Sequence, residues 1–201
     1  LHVERAQNLQ IVDRARFPIR RLLTYSCIAT RTILPTSLRF LTLCGTEGLS
    51  ISLLSKLCTV TSLEGLVLRA DGNDIGPIAT MKSLKYLALI STQVEDISPI
   101  SQLVNLEVLD MSWKHEVGLS AITPLTTLRS LHTLRLYVQD EVDIYPIVAM
   151  TNLRNLSIGY PYAIDMTPFG QMTELLSLEL IEFWGVLDIR PVASMRSLRT
   201  L

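Results

Sequence analysis

The 201-residue sequence predicts an α/β solenoid in which a curved parallel β-sheet forms the concave face and short 3-10 or helical turns form the convex face. Three observations predict this fold. Leucines recur at a nearly constant step, prolines keep the same step independently, and the apolar spacing changes partway through each copy.

The leucine that opens each LxxLxL segment recurs every 21 to 25 residues. Complete copies open at Leu38, Leu63, Leu84, Leu106, Leu131, Leu153 and Leu175, and a truncated copy opens at Leu198. Prolines recur at steps of 22 to 25 residues, at Pro77, Pro99, Pro124, Pro146, Pro168 and Pro191. Because two residue types share one period, the chain is a tandem array of one unit.

Each unit combines two local structures. Segments such as LKYLAL and LRNLSI alternate apolar with other residues, which predicts a short strand with one buried face. After the proline the apolar residues step by three, as in Ile100, Leu103 and Leu106, which predicts a 3-10 turn or a single helical turn. One such unit buries too little apolar surface to offset its ordering entropy, so neighbouring units must stack.

Polar residues before the proline predict how each turn begins. Aspartates stand three residues ahead of it, at Asp74, Asp96, Asp143, Asp165 and Asp188. Their carboxylates are expected to accept hydrogen bonds from free backbone N–H groups further along the chain. The residues directly before three prolines, Ser98, Thr123 and Thr167, are expected to cap the turns.

The repeat LxxLxL followed by DIxPLxxLxxL resembles the leucine-rich repeats of internalin-type proteins, and LKYLALISTQVEDISPISQLVNLEVL is its clearest copy. The resemblance covers roughly residues 38 to 201. It implies a leucine-rich-repeat fold and a protein-binding role. The family places Asn or Cys at the ninth repeat position, whereas this chain has Thr46, Asp71, Thr92, Lys114, Gln139, Pro161 and Phe183 there. Irregular loops are therefore expected after the strands.

The predicted organisation is one domain. Residues 1–36 form a degenerate N-terminal repeat or cap, with one further degenerate strand expected in residues 19 to 27. Residues 37–201 form an array of about seven repeats that is incomplete at its C-terminus. The unfinished last copy predicts an exposed edge, and therefore either further repeats or self-association.

Composition argues against several function classes. The chain has 18 basic and 19 acidic residues, so no whole-molecule charge attracts nucleic acid or an anionic membrane. No apolar run approaches the ~20 residues of a membrane span. The three histidines and three cysteines show no metal-binding spacing, and no phosphate loop or nucleophile motif occurs. We therefore expect no enzyme activity, no cofactor and no metal. The compartment is not indicated.

The strand pattern itself predicts a binding surface. Positions three, five, seven and eight of each copy are expected to face the concave side. They contain an apolar ribbon, roughly 20 Å long, composed of Ile90, Trp113, Tyr137, Val138, Tyr160 and Ile181. Beside it lie Arg69, Tyr86, Asp110 and Arg135. Aromatic residues and arginines are typical of protein-binding hot spots, but loops that fold back would instead bury these rings.

Three functions are consistent with this surface. The preferred hypothesis is a non-enzymatic module that binds a protein partner on its concave face. The alternatives are a structural spacer that makes contacts through its exposed repeat ends within a larger assembly, and a regulatory subunit that binds an enzyme.

Overall fold

A computed structural model describes residues 2–3, 20–24, 34–44, 51–69, 74–90, 94, 96–113, 119–137, 145–159, 165–182 and 188–201. Within these ranges, residues 2–3, 24, 51–53, 112–113 and 119–121 are described by their backbone alone. The irregular loops predicted around the ninth repeat positions lie outside the described residues.

The described strands form a single nine-stranded parallel sheet whose spatial order is the chain order. They are β1 His2–Val3, β2 Arg21–Thr24, β3 Phe40–Cys44, β4 Gly65–Arg69, β5 Tyr86–Ile90, β6 Val108–Trp113, β7 Thr133–Tyr137, β8 Asn155–Gly159 and β9 Ser177–Ile181. Thr200 adds a single parallel bridge to Ser177. The expected degenerate strand is therefore present as β2, and β1 extends the sheet beyond it. The division of the chain at residue 36 stays a prediction.

Short helices connect the strands on the other side of the core. In the described part of the chain, five are 3-10 helices, at Gly76–Thr80, Ser98–Gln102, Leu119–Thr127, Thr167–Gln171 and Arg190–Ser194. Two are α-helices, α1 at Ile51–Leu57 and α2 at Tyr145–Val148. Proline occupies the first turn of four of the 3-10 helices, where its missing N–H costs no hydrogen bond.

The aspartates before these turns act as expected. The carboxylates of Asp74, Asp96, Asp165 and Asp188 each accept a hydrogen bond from the backbone N–H two residues later, at 2.7–3.0 Å. Hydrogen bonds from Arg190, first from its side chain and then from its backbone, lower the pKa of Asp188 to about 2. Asp143 lies outside the described residues.

The expected serine and threonine caps were wrong. Ser98 and Thr167 are the first residues of their 3-10 helices, and neither helix has a side-chain cap bond. Thr123 lies inside the helix Leu119–Thr127. The aspartate two residues ahead of Ser98 and Thr167 supplies the acceptor, so a second one from the hydroxyl is unnecessary.

The core is a stack of apolar columns between the sheet and the helices. Alternate strand residues, such as Leu87 and Leu89 in β5, are fully buried. The residues at step three in the turns are also buried, including Ile100, Leu103 and Leu106. Each buried side chain of this kind stabilises the fold by ~1.5–3 kcal/mol. The inner repeats bury their columns against both neighbours, as the stacking argument requires, whereas Val192 and Leu198 of the last copy are only partly buried.

A polar ladder ties successive repeats together at a position that the sequence analysis did not single out. Its members stand directly before the opening leucines: Ser62, Ser83, Asn105, Ser130 and Asn152. Each side chain donates a hydrogen bond of 2.7–3.1 Å to a backbone carbonyl of the preceding repeat. The polar ladder satisfies carbonyls at the turns where the chain enters its strands.

Candidate functional site

The concave face is the face of the sheet that points away from the helices, and the strand register aligns its side chains into rows. The first row runs through Arg21, Phe40, Gly65, Tyr86, Val108, Thr133, Asn155 and Ser177. The second runs through Leu23, Thr42, Val67, Ala88, Asp110, Arg135, Ser157 and Glu179. Neighbours within a row are one strand apart, ~4.8 Å.

The third row is divided by an irregularity in β6. Ala88 pairs with Asp110, but Ile90 pairs with Trp113, so β6 carries one extra residue over this interval. The register between β6 and β7 ends at Met111. The extra residue places the backbone of Trp113, rather than that of Ser112, beside Ile90.

The structure describes only part of the predicted ribbon. Ile90 follows Arg69 in the third row, and Trp113 follows Ile90. Tyr137 and Ile181 lie on either side of Gly159 in the same row of the last three strands. Val138, Tyr160 and the side chain of Trp113 lie outside the description. Whether the named ribbon residues bind a partner stays a prediction.

At the centre of the concave face lies a polar cluster of three predicted site residues. Arg135 Nη1 lies 3.4 Å from Asp110 Oδ2, and the Arg135 side chain remains 54% exposed. Burial raises the pKa of Tyr86; the Asp110 carboxylate adds to the rise, and the Arg135 guanidinium opposes it. The structure thus brings Tyr86, Asp110 and Arg135 together, with the arginine the most accessible of the charged pair.

Towards the C-terminal strands, the Tyr137 ring lies across Gly159. A Cβ atom placed on Gly159 would lie 2.4 Å from Cδ2 of that ring. The hydroxyl of Tyr137 reaches across β8 and donates a hydrogen bond to the Glu182 carboxylate. Glu182 follows β9 with a φ of 54°, in the left-handed region. Sequence reasoning missed Glu182 because nothing in its spacing indicates this contact.

Near the N-terminal strands, Phe40 lies across Gly65 in a similar way. A Cβ atom on Gly65 would lie 2.3 Å from Cδ1 of the Phe40 ring. The Arg21 guanidinium carbon stands 5.3 Å from the ring centroid, within cation–π range. Phe40 nonetheless keeps 41% of its surface exposed.

Sequence reasoning placed Phe40 and Gly65 on this face but did not select them. Both sites have an aromatic residue followed one repeat later by glycine at the same position, and this pattern could have revealed them.

Two reactive groups on the described residues, Cys58 and His132, make structural contacts. Cys58 Sγ lies 3.1 Å from the Leu54 carbonyl oxygen and 2.9 Å from the Pro77 carbonyl oxygen, so its one S–H donates to this pair of acceptors. His132 Nδ1 lies 3.0 Å from Thr133 Oγ1, and its Nε2 lies 3.9 Å from the Glu107 carboxylate. Within the described ranges, no group of three or more His, Cys, Asp or Glu side chains is placed to hold a metal ion.

Comparison with solved structures agrees with this geometry. The chain is similar to an internalin, inlF, from Listeria monocytogenes, with 23% identity, a TM-score of 0.67 and coverage of 82% of this chain and 54% of that one. It is also similar to internalin C2 of the same bacterium, with 26% identity, a TM-score of 0.69 and coverage of 82% and 70%. The chain is a leucine-rich-repeat solenoid with internalin-like repeats. This confirms the predicted fold.

A more distant solenoid is similar over a greater share of this chain. The structure of the Toll–Spätzle complex of Drosophila gives a TM-score of 0.73 at 13% identity, covering 98% of this chain and 30% of that one. The solenoid described here therefore spans about half of the inlF chain and less than a third of the chain from the Toll–Spätzle complex. No protein-family model and no curated protein sequence matches it. Searching the described residues finds no helix long and apolar enough to span a bilayer.

Proposed function

We propose that this solenoid is a non-enzymatic module that binds a protein partner on its concave face. The observation that carries the proposal is the polar cluster at the centre of that face, where Arg135 stays 54% exposed on a parallel sheet. The similarity to internalins and to the solenoid of the Toll–Spätzle complex supports a protein-interaction role.

The concave face combines rigidity with accessible anchoring groups. Strand residues with their alternate side chains fully buried hold the outward side chains in fixed positions, which lowers the entropy cost of binding. Arg69 and Arg135 are exposed on this face, and Ile181 keeps 37% of its surface exposed. Arginine and large apolar side chains on a preorganised surface are typical of binding hot spots.

A partner captured from an extract of the source cells provides the test. We expect Arg135→Ala to weaken partner affinity by about tenfold, because a guanidinium buried in an interface loses charged hydrogen bonds on truncation. The matched control is Arg129→Ala, which removes an exposed arginine from a turn outside the strands. Both affinities are measured by calorimetry on purified proteins, with thermal unfolding as the check on folding.

Other outcomes would separate the alternatives. If Arg129→Ala weakens binding while Arg135→Ala does not, the partner uses another face and the proposal fails. If concave-face variants leave binding unchanged and binding instead depends on the repeat ends, the spacer hypothesis is favoured.

A further inference from the structure

A groove opens at the N-terminal part of the concave face. Its lining includes Leu23, Phe40, Thr42, Gly65, Val67 and Tyr86, and its volume is about 450 Å³. Pockets that hold small ligands or single anchoring side chains have volumes of ~300–1,000 Å³. The groove is therefore large enough to take an aromatic side chain with part of the backbone that carries it.

The sequence creates this groove by placing a glycine between two aromatic residues. In the first row, Phe40 precedes Gly65 and Tyr86 follows it. Two strand spacings, ~10 Å, separate the backbones of the two aromatic residues. Because Gly65 contributes no side chain, the Phe40 ring tilts onto it, and Val67 and Thr42 of the second row lie at the floor. A ring inserted beside Phe40 would find aromatic surfaces suited to offset stacking.

The charges on the concave face differ between its two ends. At the described outward positions of β2 to β7, three arginines, Arg21, Arg69 and Arg135, accompany one acid, Asp110. In contrast, β9 carries Glu179, and Glu182 follows it. Among the described outward side chains, basic groups thus outnumber acidic groups near the groove, and acidic groups lie at the last strand. A partner segment that crosses the first strands gains from acidic residues.

From these observations we infer that the groove anchors an aromatic side chain of the partner, carried on an extended acidic segment of its chain. This inference rests on the proposed function and adds the chemistry of the partner. The partner's aromatic ring packs on the exposed face of Phe40, next to Tyr86, and neighbouring carboxylates face the arginines of β2 to β7. The acidic residues at the β9 end of the face repel an acidic segment, which disfavours its binding at that end.

A random dodecapeptide library displayed on phage tests the inference directly. Peptides are selected on the complete 201-residue chain, synthesised, and titrated against purified variants. We expect the selected peptides to share an aromatic residue flanked by Asp or Glu. Phe40→Ala should weaken their binding at least about tenfold, because the stacking surface is removed.

Two further variants make the result specific. Val67→Glu places a negative charge at the groove floor without removing a ring, and it should weaken binding to a similar extent. Asn155→Ala changes an exposed residue of the same row in β8, outside the groove, and should alter the dissociation constant by less than about twofold. Circular dichroism melting verifies that each variant is folded. If Val67→Glu does not fold, the binding result for Phe40→Ala alone decides the test.

The contrary outcomes are distinct. A selection that enriches no peptide, or peptides without an aromatic residue, overturns the groove proposal. Peptides that survive both groove variants but are lost with Arg135→Ala overturn the groove while leaving concave-face binding intact. Peptides insensitive to all of these variants count against both the groove and the proposed function.

Discussion

Two aromatic–glycine pairs on the concave face share one geometry but differ in what holds the ring. Phe40 lies across Gly65 near the N-terminal end, and Tyr137 lies across Gly159 near the C-terminal end. In each pair a Cβ atom on the glycine would lie 2.3–2.4 Å from the ring, so only glycine leaves the required space. The Tyr137 hydroxyl is hydrogen-bonded to Glu182, whereas the Phe40 ring has no hydroxyl and the Arg21 guanidinium lies over it.

The comparison shows how one hydroxyl determines the use of a ring. A tyrosine tethered to a carboxylate two strands away is part of the internal structure of the sheet. A phenylalanine in the equivalent place has no polar group to tether, so its exposed face stays available to another molecule. Tyr137, which the sequence predicts as a binding residue, is therefore held by an internal hydrogen bond and is the less available of the two rings for a partner.

Replacing the two glycines should give the largest difference in stability between the two sites. Gly159→Ala displaces the Tyr137 ring and its hydrogen bond, and we expect it to lower the free energy of unfolding by about 2 kcal/mol. Gly65→Ala displaces a ring that can turn outward, and its effect should stay within about 0.5 kcal/mol, since alanine also restricts the unfolded chain. Urea denaturation of both variants measures the difference. Equal losses would show that the tether does not distinguish the sites.

Removing the tether alone should have a smaller effect. Tyr137→Phe makes the second site resemble the first, and we expect a loss of about 1 kcal/mol in unfolding free energy. Glu182→Gln and the double variant complete a mutant cycle, whose coupling energy should also be about 1 kcal/mol. A coupling energy near zero would mean that this hydrogen bond does not stabilise the fold.

The smallest expected effect lies at the first site. Arg21→Gln removes the cation beside Phe40 and should cost about 0.5 kcal/mol of unfolding free energy. The same substitution in a Phe40→Leu background should cost less, because the ring is already absent. If Arg21→Gln has an equal effect in both backgrounds, the arginine acts through contacts other than the ring.

The strands and the core followed from the sequence for a simple reason. The leucine period fixes which face of each strand is buried, and the step of three after the proline fixes the buried face of each turn. Leu87, Ile100 and Leu109 are buried where these periods place them. The seven-residue helix α1 was not predicted, because Ile51–Leu57 lies in a copy without the proline element.

The candidate site was less predictable, because it depends on register and on contacts between distant residues. The extra residue in β6 shifts the pairing at Trp113, and no local pattern in that 25-residue copy indicates where the shift occurs. The contact between Tyr137 and Glu182 joins residues 45 positions apart. The polar ladder could have been read from the residues before the opening leucines, such as Asn105 and Asn152. The residues at the ninth repeat position do not reveal it.

The polar ladder also determines how motion is shared along the solenoid. It links repeats without a break from Ser62 to Asn152, whereas Glu174, at the next ladder position, donates no such bond within the described chain. A stack joined by links between neighbours opens in cooperative blocks, and a block ends where a link is weak. We therefore expect the repeats of β3 to β8 to open as one block, and the repeat of β9 to open more readily in hydrogen exchange. A ligand that contacts both the block and the repeat of β9 would couple their opening. Its binding would then slow hydrogen exchange at residues well beyond those that it contacts.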